Sequence, residues 1–166
     1  MTMIDDGLLI LKILAAVGCG LNAGVFFAFS TFVMNAFGRL PVPQGIAAMQ
    51  SVNITAINPL FMTSLFGTGA ICLFWTVFSL LHWQRMGSVY LLFGGLLYVI
   101  GAVVVTMVFN VPLNNALAAV DPNSAEGANL WNKYLADWTF WNHIRTIAPL
   151  VSAVLFTMAV CYEPKR

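Results

Sequence analysis

Charge is nearly missing from this chain: Asp, Glu, Lys and Arg make up 8% of its 166 residues, against 60% hydrophobic ones. Mean hydropathy is +0.87. A soluble domain carries about a quarter charged residues, so most of this chain could not face water. The net charge of +1 supplies no basic field, which sets nucleic acid aside as a partner. Cysteine pairs are missing too: Cys19, Cys72 and Cys161 stand singly in or near apolar segments, with no CxxC. They read as small buried hydrophobes, and without paired loop cysteines thiol–quinone exchange has nothing to run on. No Asp or Glu interrupts the long apolar runs, whereas a proton-coupled exporter needs a carboxylate at membrane depth. The two histidines, His82 and His143, fall at opposite ends of the expected bilayer, about 30 Å apart. That separation argues against a metal or a haem held between them in one chain, and no metal site is expected. A glycine-rich nucleotide loop and a Ser/His/Asp order are absent as well.

What the chain does have is long uncharged intervals. They run between Lys12 and Arg39, Arg39 and Arg85, Arg85 and Asp121, and Arg145 and Glu163. A bilayer-spanning helix needs about 20 apolar residues at 1.5 Å each, and each interval holds one. The expected architecture is all-α: a single domain over residues 1–166, with four transmembrane helices at about 8–37, 59–81, 89–111 and 144–162. The first run follows Asp5 and Asp6 rather than a basic region and is too long for a signal peptide. Arg39, Pro41 and Pro43 end it, and the segment from Gly45 to Asn53 reads as a short interfacial helix before helix two. With both termini on the cytoplasmic side of a plasma (inner) membrane, Lys12, Arg85, Lys165 and Arg166 lie inside, and Arg39, Lys133 and Arg145 outside. This is a weak inside-positive bias.

Polar residues gather where these helices meet one membrane face. Gln50 and Asn53 are three apart on the interfacial helix, and Asn58 precedes Pro59 at the start of helix two. Asn58 suits either a helix cap or a ligand contact. Asn110 and Asn114 flank Pro112, where helix three is expected to end. The stretch from Asp121 to Asp137 reads as an amphipathic loop. Helix four is then introduced by Trp138, Trp141, Asn142, His143 and Arg145. On a helix Trp138, Asn142 and Arg145 share a face, whereas His143 points about 100° away from Asn142. An arginine at membrane depth costs about 2.5–3.5 kcal/mol at a helix centre and less near an end, which favours a functional counter-group over snorkelling. Pro149 is expected to kink the helix one turn further in. In helix one, Asn22 suits an interhelical hydrogen bond or a ligand, and Gly20 and Gly24 form a GxxxG pair that would suit a neighbouring helix or a homodimer. His82 and Trp83 read as interfacial residues. Three polar clusters at one end of a bundle imply a dry, aromatic pocket with an imidazole, a guanidinium and amides. Such a pocket suits either deprotonation of a carbon acid with stabilisation of the enolate, or simple binding of a flat phenolic or quinone-like molecule.

At these same residues the chain resembles the anthrone oxygenase family. The pieces are Gly24-Val-Phe-Phe-Ala-Phe29, then Met49, Gln50, Asn53, Asn58 and Pro59, then Asn110-Val-Pro-Leu-Asn114. Trp131, Tyr134, Trp138, Trp141, Asn142, His143 and Arg145 complete the pattern. The resemblance implies a four-helix membrane protein that oxidises anthrones to anthraquinones with O2 and no cofactor. It further implies that His143, or a water it holds, is the base. Arg145 and Asn114 would stabilise the anionic oxygen, and Trp138 and Trp141 would stack on the rings. Gln50, Asn53, Asn58, Asn110 and Asn142 would line the substrate. The competing expectation is a non-catalytic membrane protein that binds a quinone, a lipid or a partner helix at the outer end of the bundle.

Overall fold

The computed structural model describes residues 3–162, and every regular element among them is helical. Lys165 and Arg166, counted above in the charge bias, lie outside the described residues. Five helices follow one another: α1 (residues 3–38), α2 (Val42–Thr55), α3 (Pro59–Leu81), α4 (Ser88–Ala118) and α5 (Ala125–Cys161). All except α2 are long and apolar enough to cross a membrane, so the chain is built as an integral membrane protein in contact with lipid. The short α2 lies between α1 and α3, as expected of an interfacial helix. The end of the bundle that carries α2 and the α4–α5 connection is termed distal here; the end carrying the 82–87 turn is proximal.

Two expected boundaries need correction. Helix three does not stop at Pro112 but continues to Ala118, and helix four starts at Ala125 rather than near 144. The stretch read as a loop, from Asp121 to Asp137, is therefore mostly helix. α5 spans 37 residues, about 55 Å at 1.5 Å each, far longer than a hydrocarbon core of about 30 Å. Its distal turns run past the bilayer and are amphipathic. Gly127, Trp131, Tyr134 and Trp138 are buried at spacings of three and four, while Glu126 and Lys133 are exposed. Pro112 is tolerated because the turn immediately before it, Thr106–Asn110, is π-helical. A widened turn relaxes the clash of a proline ring with the carbonyl four residues back.

Three of the spanning helices widen in this way: Phe29–Val33 in the distal half of α1, Thr63–Gly67 in the distal half of α3, and, in α4, Val99–Val104 at mid-helix and Thr106–Asn110 in the distal half. The core is correspondingly divided. One apolar cluster fills the middle and proximal bundle around Cys19, Cys72, Trp75, Leu91, Tyr98 and Phe156. A second fills the distal cap around Met34, Ile46, Met49, Leu117, Trp131, Tyr134 and Trp138. Close approach in the first cluster depends on glycine. A Cβ on Gly95 would stand 2.5 Å from the Cys72 carbonyl oxygen, and one on Gly18 would collide with Thr68. At the expected GxxxG pair the approach is not as close: a Cβ on Gly20 or Gly24 would meet nothing within 4 Å among the described residues.

Candidate functional site

Arg145 sits on the buried face of α5, where neighbours three and four residues away in sequence share its side of the helix. It is 5% exposed, and its hydrogen-bond acceptors are both neutral. Nη2 donates to Asn142 Oδ1 at 2.7 Å, and Nη1 donates to Thr106 Oγ1 at 3.3 Å. Two rings flank the guanidinium, with its carbon 4.6 Å from the Phe26 centroid and 4.8 Å from that of Trp138. Cation–π contact of this kind stabilises a desolvated guanidinium by about 2 kcal/mol, less than the cost of burying an ion without a counter-charge. Nε, moreover, has no hydrogen-bond partner among the described residues. One turn further along, Pro149 has no N–H to give the Arg145 carbonyl.

Asn142 is wholly buried and holds the arginine in place. Its Nδ2 donates to the Phe26 carbonyl at 2.7 Å and to Ser30 Oγ at 2.8 Å, which leaves Oδ1 to receive Arg145. Ser30 and Thr146 share a hydrogen bond at 3.0 Å, and the Thr146 hydroxyl donates back to the Asn142 carbonyl. The π-helical turn of α1 begins beside these atoms, and the one ending at Asn110 begins at Thr106 itself. Widened turns therefore stand on both sides of the guanidinium.

A second layer lies distal to the first. Asn114 Oδ1 accepts from the Tyr134 hydroxyl and from Trp138 Nε1, both at 2.8 Å. Trp131, Tyr134 and Trp138 form a ladder with centroid separations of 5.7 and 6.2 Å, and Phe29 meets Trp138 at 5.8 Å. Asn110, fully buried, donates Nδ2 to the Trp138 carbonyl at 3.2 Å, while its Oδ1 has no partner among the described residues. Asn53 lies beside the Tyr134 hydroxyl, and its buried Nδ2 likewise lacks a partner. On the far side of Phe29 a cleft of about 260 Å³ opens between α1, α2 and the start of α3, with Val52, Thr55 and Phe61 on its walls.

The structure thus brings Asn53, Asn110, Asn114, Trp138, Asn142 and Arg145 together and leaves the other predicted residues outside. His143 is exposed on α5, about 200° around the helix from Arg145. Facing outward, this imidazole does not join the cluster around Arg145. Trp141 lies flat on Phe109, with centroids 3.5 Å apart and planes at 8°. Gln50 is a helix terminator: Nε2 donates to the Leu117 and Val120 carbonyls at 2.8 and 3.1 Å, satisfying the open end of α4. Asn58 is exposed and caps α3, accepting from Phe61 N at 3.0 Å and donating to the Thr55 carbonyl at 2.9 Å. Asn22 bonds the Gly18 carbonyl and both Ser64 oxygens, the interhelical alternative of its two readings.

Ser30, Thr106 and Thr146 are members of this site that inspection of the sequence did not single out. Lone hydroxyls in apolar helices ordinarily bond their own backbone four residues back, and nothing in their spacing sets these three apart. No group of three or more His, Cys, Asp or Glu is gathered anywhere among the described residues.

A sequence model of anthrone oxygenase matches residues 60–155, from the first turn of α3 through Asn110 and Asn114 of α4 to the last third of α5. Comparison with curated proteins gives no match, and neither does comparison with solved structures. The matched stretch exceeds half of the chain and contains Thr106, Asn110, Asn114, Trp138, Asn142 and Arg145, and on that basis the chain belongs to the anthrone oxygenase family.

Proposed function

We propose that this protein is a cofactor-independent oxygenase of a membrane-dissolved anthrone or similar aromatic carbon acid. The observation that carries the reading is Arg145: a buried cation with neutral hydrogen-bond partners, an unused N–H and an aromatic ring on either side. Such a group is suited to charge that develops on a flat substrate during reaction. A methylene between two aryl rings, conjugated to a ketone, loses a proton and leaves its electron pair spread onto the ketone oxygen. Arg145 holds that enolate, with Asn114 keeping Trp138 and Tyr134 in place beside the rings. The carbanion carbon then bonds to O2, which is reduced to a peroxide. Protonation and loss of water leave one oxygen atom in the new carbonyl and the other in the water. Neither an imidazole nor a carboxylate belongs to the cluster around Arg145, so the proposal assigns the first proton to water at the membrane interface. His143 has no part in this scheme.

The same reading places the protein in the plasma membrane with the distal end outside and both termini in the cytoplasm. Its support is the weak charge bias of the sequence, with Lys12, Arg85, Lys165 and Arg166 expected on the inner side and Arg39, Lys133 and Arg145 on the outer.

The test is O2 uptake by purified, metal-free protein in detergent, given dithranol or emodin anthrone, with autoxidation subtracted. Wild type should exceed the blank, and Arg145→Met should return to it. Wild-type protein that is folded yet indistinguishable from the blank would remove the oxygenase reading. A non-catalytic protein that holds a quinone at the same cluster would take its place.

A further inference from the structure

The cleft on the far side of Phe29 has no part in the scheme above. Three helices wall it: Phe29 comes from α1, Val52 and Thr55 from the end of α2 with Ala56 just beyond, and Phe61 from the start of α3. It lies where the two core clusters meet, since Phe61 packs against the proximal one and Phe29 and Val52 against the distal one. Around the α2–α3 junction Ile54, Ile57 and Leu60 are 73%, 76% and 86% exposed, and apolar side chains gathered in this way mark a surface that meets lipid. The hydroxyl and the amide on the wall are already engaged: Thr55 donates to the Ser51 and Val52 carbonyls, and Asn58 caps α3. No charged side chain is among the residues that line the cleft, so its occupant is neutral and apolar. A volume of about 260 Å³ lies close to the lower end of small-molecule pockets, about 300 Å³. A partner helix about 10–12 Å across does not fit.

Resting on the oxygenase reading above, we infer that this cleft takes the flat aromatic substrate directly from lipid and is its way in to Arg145. Phe29 and Phe61 offer a ring from each of two helices, as a flat aromatic body requires. Phe29 is also the one side chain between the cleft and Trp138. Its ring meets that of Trp138 at 5.8 Å, and Trp138 in turn lies 4.8 Å from the guanidinium. Phe29 opens the π-helical turn of α1, so the partition is carried on a widened turn rather than on regular helix.

The test is maleimide labelling of a thiol placed on the wall by Ala56→Cys. The background is Cys161→Ser, because Cys161 is exposed whereas Cys19 and Cys72 are buried. Anthraquinone, which needs no turnover, should slow labelling by N-ethylmaleimide about tenfold when present at about ten times its dissociation constant, by mass action. Labelling of Ile57→Cys, next in sequence but outside the cleft, should be unaffected. If Ala56→Cys does not fold, Thr55→Cys puts the thiol on the same wall. Once labelled, the Ala56→Cys protein should lose kcat/KM for O2 uptake on dithranol relative to the unlabelled variant and keep kcat, the pattern of impaired entry rather than impaired chemistry. No protection, equal protection of both positions, or a labelled protein that keeps its kcat/KM overturns the inference. Equal protection by dodecane would make the cleft a groove for acyl chains and overturns it as well. Protection by anthraquinone without O2 uptake on anthrones removes the oxygenase reading and keeps the cleft as an aromatic site; O2 uptake without protection does the reverse.

Discussion

Trp75 and Trp138 are both buried indoles on the axis of the bundle, one proximal and one distal, and their surroundings differ in kind. Trp75, at 0% exposure, is packed edge-on between Phe74 and Phe78 with the Lys12 ammonium 5.5 Å from its ring centroid, and its Nε1 bonds nothing among the described residues. Trp138, at 5%, donates Nε1 to Asn114, receives Asn110 on its carbonyl, and turns its faces to Phe29 and Arg145. The proximal half is closed mainly by close packing, with Gly94 against Phe156 and Gly95 against Cys72 and Thr76, and its buried hydroxyls on Thr76, Ser79 and Ser152 bond backbone carbonyls. The distal half is closed by hydrogen bonds that converge on a cation. Shape alone needs small residues and regular helices, and the proximal ends of α3 and α4, Thr68–Leu81 and Ser88–Tyr98, are regular. A polar layer needs carbonyls and hydroxyls that face across helices, and the widened turn of α1 stands beside such groups: the Phe26 carbonyl and Ser30 Oγ both accept from Asn142. Substitution should therefore affect folding in one half and function in the other.

The largest effect is expected at Arg145. In Arg145→Met the group proposed to stabilise the anion is lost, and the rate of O2 uptake on dithranol should fall by about 100-fold or more, the usual loss for one such donor. Thermal unfolding in the same detergent should be unchanged or higher, because an unpaired buried charge is replaced by an apolar chain of similar length. A large loss of stability would mean that the guanidinium holds the bundle together, and the contrast between halves would fail. The converse substitution is Gly95→Val. Its Cβ meets the Cys72 backbone, so overpacking should destabilise the protein by about 1–3 kcal/mol. Activity per folded molecule should be kept.

Asn114→Ala lies between these extremes. It leaves the Tyr134 hydroxyl and Trp138 Nε1 without an acceptor, at a cost of about 1–3 kcal/mol for a buried unsatisfied group. O2 uptake should fall by about tenfold, since the ring of Trp138 loses its anchor while Arg145 remains. Equal loss in stability and none in activity would assign Asn114 to the cap alone.

How much of this was legible from residues alone depends on what kind of signal carried it. Lipid acts as a uniform solvent, so the charge-free intervals marked all four spans. An isolated Arg145 among apolar residues was conspicuous for the same reason. The ends of helices were less visible, because Pro112 signals termination unless the preceding turn is widened, and a π-helical turn leaves no mark in residue spacing. Trp131, Tyr134 and Trp138 did recur at helical intervals, but the charges of residues 121–137 suggested a loop rather than a helix that continues past the bilayer. Of the polar residues, those with a local alternative were the hardest to place. Gln50 and Asn58 close helix ends, and only coordinates separate that duty from contact with a ligand.

The smallest effect is expected at His143, where it is most informative. In sequence it stands beside Asn142 and two residues from Arg145, as the nearest titratable base; in the structure it is exposed and turned about 200° from the guanidinium. His143→Gln should change stability by no more than about 0.5 kcal/mol, as for an exposed substitution away from any network. Its O2 uptake should match wild type, and the pH profile of the rate should keep its shape, since no imidazole takes the proton. A rate that falls to the blank, or a limb of the pH profile near the usual range of histidine that disappears in the variant, would show that substrate is deprotonated from the exposed face of α5. Arg145 would then act through the helix rather than beside the reacting oxygen. The polar layer of the distal half would become the support of a site on its surface, and its difference from the proximal half would be one of mechanical role instead of chemistry.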